Sequence, residues 1–338
     1  MATDYASAVR AGTMAAGRLH RQLDIRGVID RHGGNVDVFG AIHTVGLQLL
    51  VRPLRGLLGA FLTDPIPGVL VTTERQMSIQ RFTAAHELGH FFMGHRPSLD
   101  DKSILRRMPT TPEPGPGFQE TEADAFAVAF MMPKWLLLSH CSRQNWHIQD
   151  LSRPAIVYQL SLRLGASYEA TCRTLVRYEL ISTAIMRDLL LTRRRRLKAA
   201  LLGEHRPDNY RGDVWYLTTR DADTRIDGSR NDLFVLRLPE NSGGGYLWDF
   251  DQLIARGFAI VRDECEAADA EGVGASVVRR VTGAAEEPEI GPRGRVTVDE
   301  KRPWQASSPI SSLTLDMDFT GPEKGLSRAE RRHLLEAA

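Results

Sequence analysis

"RFTAAHELGHFFMGH", residues 81–95, places three histidines and one glutamate in an otherwise apolar stretch. Its reading decides the fold of the first half of the chain. Ser78 is the expected N-cap of a helix from about Ile79 to Gly94. On that helix His86 and His90 lie one turn apart on one face, so both imidazoles can reach one ion. Glu87 follows the first histidine. It is placed to take a proton from a water at the metal without binding the metal itself. Zinc moves the pKa of such a water toward about 7. Gly89 leaves the backbone open to a close neighbour. A core helix has little use for two histidines and a glutamate, so a buried helix with satisfied imidazoles fits this stretch less well than a zinc site.

Two ligands do not complete a catalytic zinc site; a third protein ligand and an open position are required. His95 lies five residues after His90, about 140° around a continued helix, and reads as a helix-end or surface histidine. The better source is the next helix, "QETEADAFAVAFMMP", expected from about Gln119 to Pro133. Glu122 heads the stripe Ala125, Phe126, Ala129, whereas Glu120 shares a more polar stripe with Ala123, Asp124 and Ala127. A carboxylate at the end of an apolar stripe requires a partner, and this favours Glu122. Glu120 suits a dipole-stabilised first-turn position.

Around this site the chain reads as α+β. Residues 4–32 are expected to be helical, and 46–54, 58–64 and 67–74 to be short strands. Residues 150–200 are helical again, with a Gly-Ala-Ser turn that outlines a helix-turn-helix. From Gly212 the character changes to seven short alternating or β-branched segments: "DVWYLTT", "LFVLRLP", "GYLWDF", "FAIVRDE", "SVVRRVTG", "RVTVDE" and "LTLDMDF". Their number and spacing point to a β-sandwich. The expected organisation is a metal-binding domain over 1–138, a helical segment over 139–205, the sandwich over 206–320 and a tail helix over 321–338.

Composition bounds the function. The 338 residues are 42% hydrophobic and 25% charged, with a net charge of +1, so no global charge draws the chain to nucleic acid or membrane. Cys141, Cys172 and Cys265 have no CxxC spacing and an odd count. A soluble protein of a reducing, cytoplasmic compartment is expected. The run Arg193–Arg196 is the strongest basic patch. The second helix of the helix-turn-helix outline mixes Glu169 and Glu179 with Arg173 and Arg177, a weak signal for DNA contact.

The stretch 81–95, followed after a Pro/Gly-rich gap by "ETEADAFAVAFMMP", resembles the ImmA/IrrE family of metallopeptidases. The resemblance implies a zincin-like domain with zinc ligands His86, His90 and Glu122, and Glu87 as general base. One departure is Asp124, where the family usually has Asn. The resemblance also implies a zinc-dependent endopeptidase acting on one protein partner, a repressor or other regulator encoded with it, in a stress or mobile-element response. His140, His147, Tyr158 and Tyr168 are candidates to stabilise the oxyanion. Further on, "LPENSGGGYLWDF" and "RPW" resemble the contact loops of the chagasin-like inhibitor family, immunoglobulin-like sandwiches that block papain-type peptidases. Asn241, Gly245, Tyr246 and Trp248 match the first loop and Arg302, Pro303 and Trp304 the last; "GVGA" (272–275) is a loose match to the middle one. Ser242, Gly243 and Gly244 replace the side chains that would enter a protease cleft. Two other readings stand beside the peptidase: a non-enzymatic DNA- or protein-binding regulator, and a cysteine-peptidase inhibitor.

Overall fold

The computed structural model describes residues 5–64, 66–96, 99–101, 118–267, 277–288, 291–305, 308–320 and 325–326. In chain order the first half contains α1 (Tyr5–Gln22), α2 (Ile25–His32), α3 (Val38–Thr44), β1 (Gln48–Arg52), β2 (Leu57–Leu62), β3 (Gly68–Thr72), α4 (Met77–Met93), β4 (Leu99–Asp101), α5 (Gln119–Met131) and α6 (Lys134–Gln144). Next come α7 (Pro154–Arg163), α8 (Tyr168–Arg177), α9 (Thr183–Leu191) and α10 (Arg194–Leu202). The last third contains β5 (Val214–Leu217), β6 (Thr224–Asp227), β7 (Leu233–Glu240), β8 (Leu247–Asp249), α11 (Asp251–Ala255), β9 (Phe258–Ala267), β10 (Val277–Ala285), β11 (Arg293–Lys301), β12 (Ser311–Asp318) and β13 (Gly325–Leu326).

The first sheet has the order β13-β1-β3-β2-β4, with β1 and β3 parallel and the other pairs antiparallel. Alternate residues of β1, Leu49 and Val51, are buried, and they face the same core as Leu88 of α4 and Phe126 of α5. The helix α4 begins at Met77 rather than at Ile79. Its N-cap is Gln76, with no side-chain cap, so Ser78 does not serve as the cap. Helix α1 crosses α5 so closely that a Cβ on Gly12 would lie 2.1 Å from the carbonyl oxygen of Glu122. Pro133 separates α5 from α6, because it lacks an N–H for the helical ladder. The combined stretch Gln119–Gln144 is long and apolar enough to cross a membrane, but most of it is buried inside this core.

One hydrophobic core runs without a break from Ala15 to Leu197. The helical segment therefore shares the core of the first domain. Tyr168, Cys172 and Leu175 of α8 are buried in it, and the Tyr178 hydroxyl donates to the Met132 carbonyl.

A second core, from Trp215 to Phe319, fills the space between two four-stranded sheets, β5-β7-β10-β9 and β6-β12-β11-β8. Phe234, Phe258 and Phe319 meet edge-on at its centre, with ring centroids 5.3–6.1 Å apart. This is the β-sandwich expected from sequence, and all seven expected segments are strands. The eighth strand, β6, was not foreseen: "TRID" is four residues long and flanked by Asp and Gly, which reads as loop. The expected tail helix lies largely outside the described residues; Gly325 and Leu326, which fall within its range, pair instead with β1.

The two contact-loop candidates lie side by side at one end of the sandwich. A Cβ on Gly245 would meet the Trp304 ring at 2.7 Å, and the Arg302 guanidinium sits 4.6 Å over the Tyr246 ring. Trp304 is 71% exposed, whereas Trp248 belongs to the core and donates to the Pro239 carbonyl. The "GVGA" stretch lies outside the described residues.

Buried polar contacts join the sandwich to the helices. Arg163 of α7 reaches Asp221 at 2.8 Å and the Tyr216 carbonyl, and the Tyr158 hydroxyl donates to Asp213. Arg81 of α4 pairs with Asp227 of β6 at 2.5 Å.

Candidate metal centre

Helix α4 is buried on nearly all sides where the motif sits: His86, Glu87, Leu88 and His90 are all fully enclosed. The Nε2 atoms of His86 and His90 face each other 2.9 Å apart. An Oε2 of Glu120, on α5, lies 3.4 Å from the first and 3.7 Å from the second. Among the described residues, these three form the group able to hold a metal ion. Burial alone would raise the Glu120 carboxyl, but the two imidazoles against it outweigh burial and hold it far below the usual carboxylate range.

The structure brings Glu120, rather than the expected Glu122, up to the two histidines. Glu122 does not join His86 and His90; its Oε2 is 2.8 Å from Nε2 of His95. The stripe headed by Glu122 is not distinctive, because α5 is apolar and buried around most of its circumference, at Ala123 and Ala127 as well as Ala125 and Phe126. An apolar stripe then gives no direction to the site. The polar stripe is the one that faces the histidines. Glu120 and Asp124 are one turn apart, and both meet His86, Asp124 through Oδ1 at 2.9 Å from Nδ1. A carboxylate on the second ring nitrogen fixes the tautomer and orientation of a ligating imidazole.

His95 stands at the helix end, one of the two positions expected for it, and its side chain is largely buried rather than on the surface. Gly94 takes a left-handed conformation (φ +67°) that ends α4, and the His95 N–H returns to the His90 carbonyl at 2.9 Å. That turn folds the chain back, so the helical period no longer describes where His95 points. Its Nδ1 sits 3.0 Å from Nδ1 of His90. Burial first, and then His90, lower its pKa against the pull of Glu122.

Glu87 projects from α4 toward the sheet. A Cβ on Gly59 of β2 would lie 3.0 Å from its Oε1 and 2.4 Å from Cγ2 of Thr83. Gly59 thus makes room for the face of α4 that carries Thr83 and Glu87. Gly89 has a different neighbour from the open backbone contact expected: the Phe126 ring of α5 lies within 3.2 Å of its missing Cβ.

The oxyanion candidates are engaged elsewhere. The Tyr158 hydroxyl donates to Asp213 and accepts from the Val214 N–H, and the Tyr168 hydroxyl donates to the Leu189 carbonyl. His140 is buried near Arg163, and His147 caps a short 3-10 turn, Ile148–Ser152.

Two histidines and a carboxylate thus converge from consecutive core helices, beside a buried glutamate, as a group able to hold a metal ion. Residues 56–176 match the model of the IrrE N-terminal-like domain, peptidase family M78. The matched stretch, similar to that domain, spans the whole centre and most of α8. No curated protein matches the chain. Two solved structures align with about a third of it. The crystal structure of the cysteine protease inhibitor EhICP2 from Entamoeba histolytica has 22% identity and a TM-score of 0.27, covering 33% of this chain and 99% of that one. The solution structure of Amebosin has 19% identity and a TM-score of 0.25, covering 32% and 97%.

Proposed function

We propose that the chain is a zinc-dependent endopeptidase that cuts one protein partner, a transcriptional repressor or other co-encoded regulator, in a stress or mobile-element response. The observation that carries this reading is the convergence of His86 Nε2, His90 Nε2 and Glu120 Oε2 beside buried Glu87. Two imidazoles and one carboxylate suit zinc and leave a position open. Zinc, when bound, polarises a peptide carbonyl and acidifies a nearby water.

The remaining work falls to the chain. His86, His90 and Glu120 hold the ion, and Asp124 fixes the His86 ring. Glu87 accepts the proton of the attacking water and delivers it to the leaving amine. The enclosure of Glu87 keeps bulk water from competing for that proton.

The paired loops around Trp304 support a role in docking the partner, since an exposed aromatic beside an arginine-stacked tyrosine is a common anchor type. The DNA-binding alternative draws less support. On α8, Arg173 is held by Glu169 at 2.7 Å and Arg177 donates to Thr13 of α1, so these charges serve the fold. We place the protein in the cytoplasm, on its three free cysteines.

The test compares new protein N-termini in native cells carrying the wild-type chain or Glu87→Gln, with and without DNA damage. One or two cuts that depend on Glu87, within a co-encoded regulator, are expected. Equal cleavage in the two strains would remove Glu87 from its role.

A further inference from the structure

We propose that His95 and Glu122 form a hydrogen-bond relay that orients His90 and strengthens it as a metal ligand. The inference rests on the reading above that His86, His90 and Glu120 hold the metal.

The direction of each hydrogen bond follows from the ring nitrogens. Nε2 of His90 is the atom that faces His86 Nε2 and Glu120. To bind a cation it must present a lone pair, so the neutral imidazole carries its proton on Nδ1. That Nδ1 lies 3.0 Å from Nδ1 of His95. His95 must therefore accept there and carry its own proton on Nε2. The Nε2 lies 2.8 Å from Oε2 of Glu122, which accepts. The chain reads Glu122 carboxylate, His95, His90, metal, with every donor matched to an acceptor.

The two ligating histidines are thus supported in different ways. His86 has a carboxylate, Asp124, directly on Nδ1. His90 has one at a remove, through a second imidazole. The same helix supplies both ends: α5 gives Glu120 to the metal and, two residues later, Glu122 to the relay. Side chains of His95 and Glu122 are 9% and 16% exposed, so the relay is largely shielded from competing water. The left-handed turn at Gly94 is what brings His95 over His90.

The decisive experiment measures zinc dissociation constants of the full chain by competition with a chromogenic chelator. The variants are His95→Phe, Glu122→Gln, the double variant and Glu120→Gln, with melting of each metal-free protein as a fold control. Outer-shell partners typically contribute about 10- to 100-fold in metal affinity. His95→Phe is expected to weaken zinc binding within that range. Glu122→Gln is expected to weaken it less, and the double variant no more than His95→Phe alone, because Glu122 acts only through His95. Glu120→Gln is expected to lose more than any of them.

Wild-type affinity in His95→Phe would overturn the relay while leaving the ligand set intact. A further full loss from Glu122→Gln in the His95→Phe background would also overturn it, by showing that Glu122 acts on the metal independently. Failure of the wild-type chain to bind zinc would overturn the ligand reading itself. A variant that melts early without metal but binds zinc normally once folded would show a purely structural role and likewise end the proposal.

Discussion

Oδ1 of Asp124 lies 2.9 Å from Nδ1 of His86, one helical turn beyond the carboxylate of Glu120 that meets the same imidazole. A His86 ring that binds a cation through Nε2 donates from Nδ1, and an amide oxygen can accept that proton as well as a carboxylate can. Asp124→Asn should therefore keep zinc affinity within a few-fold of wild type, whereas Asp124→Ala should lose roughly 10- to 100-fold. Chelator competition on the two variants checks both numbers. Equal affinity of Asp124→Ala and wild type would remove the residue from the centre.

Gly59 sits where β2 backs onto α4. A Cβ there would come within 2.4 Å of Thr83 Cγ2 and 2.9 Å of the Leu70 carbonyl. Overpacking of this kind costs about 1–3 kcal/mol. Gly59→Ala should lower the melting temperature and displace Glu87, with loss of cleavage. Adding Thr83→Ser, which removes the methyl, should restore part of the stability. No recovery in the double variant would mean that the backbone contact, not the methyl, sets the limit.

Arg163 and Asp221 join α7 to the sandwich with side chains 4% and 2% exposed. Removing one partner of such a pair leaves a buried charge, at about 3–5 kcal/mol. Asp221→Ala should lose stability of that order in urea denaturation. Arg163→Leu combined with Asp221→Ala should lose less than Asp221→Ala alone, because no charge is then stranded. A loss under ~1 kcal/mol for the single variant would show that water reaches Arg163.

His140 gives a dependence on pH. Burial first, and then Arg163, lower its pKa to about 3, from an unfolded value near 6.5. The folded state thus resists protonation that the unfolded chain accepts. Its contribution is fully present above about pH 6.5 and is lost as pH falls from there toward 3. At pH 5 the loss relative to pH 7 should be roughly 2 kcal/mol. His140→Gln should flatten that part of the profile. An unchanged slope in urea midpoints between pH 7 and pH 5 would assign the acid sensitivity to other groups.

The sequence carried the first half of the centre and lost the second, for physical reasons. His86, Glu87 and His90 share one helix, so their spacing alone fixes their geometry. The third ligand comes from another helix, and α5 is buried at Ala123, Ala125, Phe126, Ala127 and Phe130, so an inward stripe could not point to the site. Glu120 and Asp124 together, four residues apart, were the available signal: a ligand and its support make a polar face on a buried helix. His95 was expected at the helix end or on the surface; it is at the helix end, but the turn at Gly94 points it inward, which the helical period could not show. Gly59 had a readable mark as well, since a glycine inside a strand pattern often means a close approach. The sandwich was legible because its strands alternate clearly; only β6, with Ile226 as its one buried apolar residue, fell below that pattern.

The most direct measurement is the zinc content of the purified full-length chain after metal loading and desalting, for wild type, Glu120→Gln and Glu122→Gln. Wild type and Glu122→Gln should each retain about one equivalent, as a three-ligand site with an open position does, and Glu120→Gln should retain little. Retention by Glu120→Gln together with loss by Glu122→Gln would contradict the centre described here and return the third ligand to Glu122.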